Sequence, residues 1–329
     1  MKLILGSAQW KKTLLAASLF FVLTGCQTIR RSSAPKPRSN GAPSMSQGSL
    51  PEAIPSEMTT ENETETSETE PTVDLATPEN ESRIGLILGP GALRAYAHIG
   101  VVQEFVKMKL PIQSVAGIET GALVAAIFAN KGLPYDVEWQ MMKLKESDLV
   151  QKGLLSSRVS AGEVQSLNEF LNMSLGTGRA ENSKIYFACP AFQIRQRQTY
   201  MMNRGAFTQM LPFCLAFPPL FRPYQQNVAA VMDLRATVDH LRAKGATYII
   251  YVDLLSGANR VEKVGIEDQI LWSMAANSLS KQEKGINYVL HVPLQDYDLL
   301  DFSHRRQMMQ QGQKSGADAA KQIMKKLGL

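Results

Sequence analysis

Two glycine-bearing turns hold the residues with the most chemical potential. The first, Leu88-Gly89-Pro90-Gly91-Ala92-Leu93-Arg94-Ala95, runs directly into Tyr96-Ala97-His98-Ile99-Gly100. The second is Val115-Ala116-Gly117-Ile118-Glu119-Thr120-Gly121-Ala122. Glycines on either side of one residue let its side chain project from a sharp strand-to-helix turn, and here that residue is Glu119. A carboxylate is a poor nucleophile toward an ester, because attack would form an energetic anhydride, and it carries no proton for a base to remove. Thr120 and Cys214 are substitute nucleophiles, but Thr120 should point into the helix that follows it. His98, His240, His291 and His304 show no mutual spacing of metal ligands, so neither metal nor cofactor is expected. The pairs Met141-Met142, Met201-Met202 and Met308-Met309 read as adaptable core filler, with a soft surface for acyl chains as the alternative.

The elements around these turns alternate between short apolar runs and helical periods. Arg83 to Leu88 reads as a buried strand, followed by a helix that runs to about Lys109. Ile112 to Ala116 is a second strand, and Ala122 to Asn130 lies in a buried helix. Later candidate strands are Ile185 to Phe192, Val228 to Met232, Thr247 to Leu254 and Ile286 to Val292, with a last helix over Ser303 to Lys326. Strands apolar on both faces and separated by helices imply an α/β sandwich with a mostly parallel central sheet. Ligand sites in such sheets lie at the carboxyl ends of the strands, where both turns fall.

On these residues the chain resembles the patatin-like phospholipase family. That family has a glycine-rich turn with a basic residue, a helix beginning near Ala97-His98-Ile99-Gly100-Val101, then a strand and a G-x-S-x-G elbow followed by Ala122-Leu123-Val124. Further on, Cys214 to Pro223 resembles the family's small-residue and proline loop, and Val231-Met232-Asp233 stands at its catalytic Asp-Gly-Gly. The resemblance runs from about residue 83 to the C-terminus, and it implies a patatin-like three-layer sandwich. It also implies a serine–aspartate dyad beside a turn of oxyanion donors.

The departures fall on that chemistry. Glycines Gly117 and Gly121 remain, but Glu119 replaces the serine. The oxyanion-turn positions are Pro90, Gly91 and Ala92, and proline removes one potential N–H donor. Arg94 keeps the basic position, with a structural salt bridge and a catalytic role both open. Asp233, at the dyad aspartate position, is followed by Leu234 and Arg235 instead of two glycines; a turn or helix cap is its bland reading. By resemblance His98 packs at a helix start. If Glu119 and Asp233 lie close together, two near carboxyls cannot both ionise easily, and such a pair can do acid–base work.

The chain begins with Lys2, Lys11 and Lys12, an apolar run from Thr13 to Leu23, and Leu23-Thr24-Gly25-Cys26. This resembles a bacterial lipobox: a signal peptide over 1–25 and a lipidated Cys26, with Gln27 favouring the outer membrane. Residues 26–82 are rich in Ser, Thr, Pro and Glu and read as a disordered tether. The domain is then 83–329. A net charge of +5 over the 329 residues, with no basic run interleaved with aromatics, does not imply nucleic acid. Cys189 and Cys214 read as separate buried thiols, with a disulfide as the alternative. The reading that emerges is a catalytically degenerate patatin-like lipoprotein that binds phospholipid, an acyl chain or an envelope protein. A lipid acyl hydrolase with a non-standard site is the alternative.

Overall fold

Ile84–Leu88 forms strand β1, and every residue of it is buried. A strand with that pattern needs cover on both faces and strand partners on both edges. The computed structural model, which describes residues 82–149, 151–152, 159–257 and 265–329, supplies both. β2 (Ile112–Gly117) and β8 (Tyr248–Asp253) flank β1 in parallel; β5 (Tyr186–Gln193) continues from β2 and β9 (Tyr288–His291) from β8, also in parallel. Two antiparallel strands, β6 (Gln198–Met202) and β7 (Asn227–Ala229), both pair with β5. The order is β6-β5-β2-β1-β8-β9, with β7 on β5. A separate small hairpin joins β3 (Gln151–Lys152) to β4 (Val159–Ser160).

Nine α-helices occur among the described residues. α1 (Tyr96–Lys107), α2 (Thr120–Lys131), α3 (Pro134–Met141) and α4 (Glu146–Leu149) precede the β3–β4 hairpin. α5 (Asn168–Leu175), α6 (Phe207–Leu215), α7 (Leu234–Ala243), α8 (Ile266–Leu279) and α9 (Arg305–Leu327) follow it. α2 and α7 both lean on the central strands, and Gly85 of β1 faces Leu241 of α7. α1 and α9 cross almost at bare backbone. A Cβ on Gly312 would lie 1.9 Å from the Ala97 carbonyl oxygen, and one on Gly100 would lie 2.1 Å from that of Met309. Only glycine allows so close a crossing.

The α/β sandwich with a mostly parallel sheet is thus as the sequence implies. Two details differ. The expected strand Val228–Met232 is only Asn227–Ala229, because the chain turns at Ala230 to reach the cap of α7. β6 was not foreseen; it is an edge strand whose residues are half-buried or exposed, so it shows no apolar run.

Cys189 and Cys214 correct a third expectation. They form a disulfide that ties β5 to α6, with Cα atoms 6.0 Å apart. Residues far apart in sequence were brought within bonding reach by the sheet, which spacing alone does not reveal. Met141, Met308 and Met309 are buried and Met142 and Met202 pack half-buried against the core, so these five serve as core filler; Met201 is half-buried. Cys26, the signal segment 1–25 and nearly all of the tether 26–82 lie outside the described residues, all of which fall in the unit Val73–Leu329. Among the described residues no helix is long and apolar enough to cross a membrane.

Candidate active site

The site is built where β1 and β2 end side by side. Past Leu88 the chain turns through Gly89, Pro90 and Gly91 into a short 3₁₀ turn, Ala92–Ala95, that opens α1. Past Gly117 it turns through Ile118 and Glu119 into α2. The two turns are stitched together: Ile118 N donates to Leu88 O at 3.0 Å. Gly117 and Gly121 are there for clearance. A Cβ on Gly117 would lie 2.3 Å from the Gly121 oxygen, and one on Gly121 would lie 2.4 Å from the Leu88 oxygen.

Glu119 adopts φ 56° and ψ −129°. This is a left-handed conformation costly for any residue with a Cβ, of order 1–3 kcal/mol, and it is the strained elbow that the glycine pattern implies. Ala92, across from it, is also left-handed at φ 48°.

The Glu119 side chain is completely buried. Its Oε2 accepts from Gly91 N at 3.2 Å and from Ala92 N at 2.9 Å. It also lies 2.7 Å from Thr120 Oγ1. Two convergent backbone donors on one oxygen are the arrangement that receives a developing oxyanion in acyl transfer. Here the protein's own carboxyl occupies them. The turn therefore keeps two N–H donors despite Pro90, which is less damage than the sequence suggested. Thr120, expected to point away into its helix, belongs to the cluster instead.

Thr120 Oγ1 lies 2.7 Å from Ala92 O as well as 2.7 Å from Glu119 Oε2, so its one hydroxyl hydrogen is shared between two acceptors. Burial raises the Glu119 pKa, against the opposing hydrogen bonds from Thr120, Ala92 and Gly91. Desolvation thus outweighs the α2 N-terminus, which would favour charge there. Glu119 Oε1 is buried with no partner, as befits an acid held neutral more than an anion.

Asp233 is elsewhere in its bonding. It is the N-cap of α7, where Oδ1 accepts from Ala236 N at 3.1 Å. Among the described residues it shares no hydrogen bond with Glu119, and it is not among the causes of the raised Glu119 pKa. The coupled pair of carboxyls is therefore not the source of the perturbation; burial is.

Arg94 is completely buried and works as a brace. Its Nε and Nη2 donate to Tyr297 O at 3.1 and 2.6 Å, and Nη1 donates to Leu254 O at 3.2 Å. It thereby ties the oxyanion turn to the loops after β8 and β9. Burial pushes its pKa down to about 10, with Asp298 and Asp253 pulling the other way. His98 Nε2 donates to Gly89 O at 2.8 Å, since a carbonyl only accepts. Burial pushes His98 down to about 4, so it is a neutral core residue that fixes the first turn. Among the described residues no group of His, Cys, Asp or Glu is placed to hold a metal.

An elbow on one parallel strand, facing convergent backbone donors on the next, defines the frame of an α/β acyl hydrolase. Residues 86–234 match the model of the patatin-like phospholipase family. An NTE family protein of Mycobacterium tuberculosis is 25% identical over 154 residues, which are 46% of this chain and 42% of that protein. The chain thus aligns with less than half the length of that relative. Lysophospholipase NTE1 of Saccharomyces cerevisiae is 22% identical over 270 residues, 67% of this chain and 15% of that protein. Among solved structures, VipD from Legionella pneumophila superposes with a TM-score of 0.45 at 12% identity, over 75% of this chain and 67% of that one.

Proposed function

We propose that this patatin-like domain does not hydrolyse esters by the serine route and instead binds lipid at a membrane surface. The observation that carries this is the Glu119 carboxyl seated on Gly91 N and Ala92 N. A substrate carbonyl oxygen would have to displace it, and no serine hydroxyl stands ready to attack. Loss of a nucleophile costs on the order of a million-fold in turnover, and a lost oxyanion donor about a further 10²–10³. Lipid as the ligand class is supported by the patatin match and by relatives named as lysophospholipases.

The test compares hydrolysis of short- and long-chain esters by the native chain, Glu119→Ser, Glu119→Ala and Asp233→Ala. No turnover in the native chain is expected, with partial turnover in Glu119→Ser, since its smaller side chain vacates two preformed donors. Native turnover that vanishes in Glu119→Ala would overturn the proposal and favour a hydrolase with a non-standard site.

Anchoring through Cys26 in the cell envelope, at the outer membrane, belongs to the same proposal. It rests on the lipobox-like Leu23-Thr24-Gly25-Cys26, and the Cys189–Cys214 disulfide suits an oxidising compartment. Labelled palmitate should enter the native chain and not Cys26→Ser; equal labelling of both would refute the anchor.

A further inference from the structure

A second feature of the carboxyl side of the sheet is an apolar cavity of about 420 Å³ that does not include Glu119. Its walls come from β5 and β7 (Phe192, Val228), the loop after α6 (Phe217), the turn into α7 (Met232) and α8 (Leu271). Those walls are pinned. Met232 O accepts from Ser278 Oγ at 3.0 Å and from Gln282 Nε2 at 2.7 Å, which ties α8 to the turn. Phe217 meets Trp272 edge-on at 5.4 Å between centroids, and Trp272 Nε1 donates to Pro218 O at 2.9 Å. The cavity is therefore preformed, as small-molecule sites usually are.

Among the described residues only two polar side chains line it, Thr199 and Asp233, and no basic one does. Asp233 uses Oδ1 to cap α7, and its Oδ2 has no protein partner among the described residues. A carboxylate among the residues that line an apolar cavity attracts a cation and repels an anion.

We propose that this cavity holds one straight alkyl chain whose head group is uncharged or cationic, and that Asp233 turns away free carboxylates. A methylene is close in size to a water molecule, whose share of liquid volume is about 30 Å³, so the space suits roughly ten to fourteen carbons. The inference rests on the lipid-binding reading and adds a site and a head-group rule to it. It makes the domain a holder of alcohols, esters or amines with a single chain, and not of free fatty acids.

The experiment is displacement of N-phenyl-1-naphthylamine fluorescence from the full chain carrying Cys26→Ser, at mildly alkaline pH and below micelle formation. The displacers are dodecanol, dodecyltrimethylammonium and dodecanoate. Dodecanol and the ammonium should displace the probe, and dodecanoate should be about ten-fold weaker, the modest factor expected of a half-exposed carboxylate. Asp233→Asn keeps an N-cap acceptor, so the helix survives; it should bring dodecanoate level with dodecanol. Val228→Trp, placed in a half-buried wall residue, should abolish displacement by all three, with near-ultraviolet circular dichroism confirming the fold. Equal displacement by dodecanoate and dodecanol in the native site, or unchanged displacement in Val228→Trp, would overturn the proposal. Ester hydrolysis on the same samples separates the two readings. Turnover would sink the silent-site proposal and leave this one standing, whereas failed displacement would sink only this one.

Discussion

Replacing Glu119 by glutamine removes a titrating group and keeps its shape. The amide oxygen can take the place of Oε2, accepting from Gly91 N and Ala92 N, so the turn stays intact. In the unfolded chain a glutamate titrates near 4.3. In the folded protein burial raises that value, so the native state holds the proton more tightly than the unfolded state does. Stability from this group is therefore complete below the unfolded pKa and is lost as pH climbs through the folded one.

The size follows directly. Each unit of upward shift removes about 1.4 kcal/mol once the pH is above both values. Glu119→Gln lacks that loss, so its unfolding curve should match the native one at the acid end and pull ahead as pH rises. Urea denaturation at several values between about pH 5 and 9 reads the difference. A native chain that keeps pace with Glu119→Gln, or gains on it, toward alkaline pH would show that Glu119 is ionised when folded. The oxyanion turn would then be holding a true anion.

Three further outcomes follow from the packing. Cys189→Ser should lower stability by about 3 kcal/mol, from loop-closure entropy over a sequence separation of 25, with reductant acting on the native chain in the same direction. Gly312→Ala should destabilise by about 1–3 kcal/mol even though alanine is the better helix former, because its Cβ would strike the Ala97 carbonyl; a rise in Tm would refute the close crossing. Arg94→Met should cost about 1–3 kcal/mol by leaving the buried Leu254 carbonyl and the half-buried Tyr297 carbonyl without their donors. Its thermal unfolding would show this without any activity assay.

The frame was legible in the sequence because its signals are local. β1, β2 and β8 are buried runs bounded by turn residues, and a strand covered on both faces has to look like that. What the sequence did not reveal depends on residues that meet only after folding. β6 lies at the sheet edge, half-buried, and takes its identity from pairing with β5. Cys189 and Cys214 are neighbours only because α6 lies against that same strand. Asp233 reads as a dyad aspartate from its place in the motif, but its hydrogen bond is the one any helix N-cap makes.

Glu119 shows most clearly how residue type and residue environment can differ. By type it is a failed nucleophile, and by position it should have coupled to Asp233. Its environment gives it a third role that neither consideration reaches: it is the acceptor for the donors it faces. Serine at the elbow would leave Gly91 N and Ala92 N pointing into the space a substrate oxygen enters. Glutamate is longer, and at an elbow held rigid by Gly117 and Gly121 its carboxyl extends straight into that space. Two buried N–H groups without partners would each cost about 1–3 kcal/mol, so filling them stabilises the turn. The strained backbone at Glu119 and Ala92 is held by the glycine contacts and by the same two hydrogen bonds. In the proposed reading, Glu119 both withholds a serine hydroxyl from the elbow and fills the donors that would face a substrate oxygen.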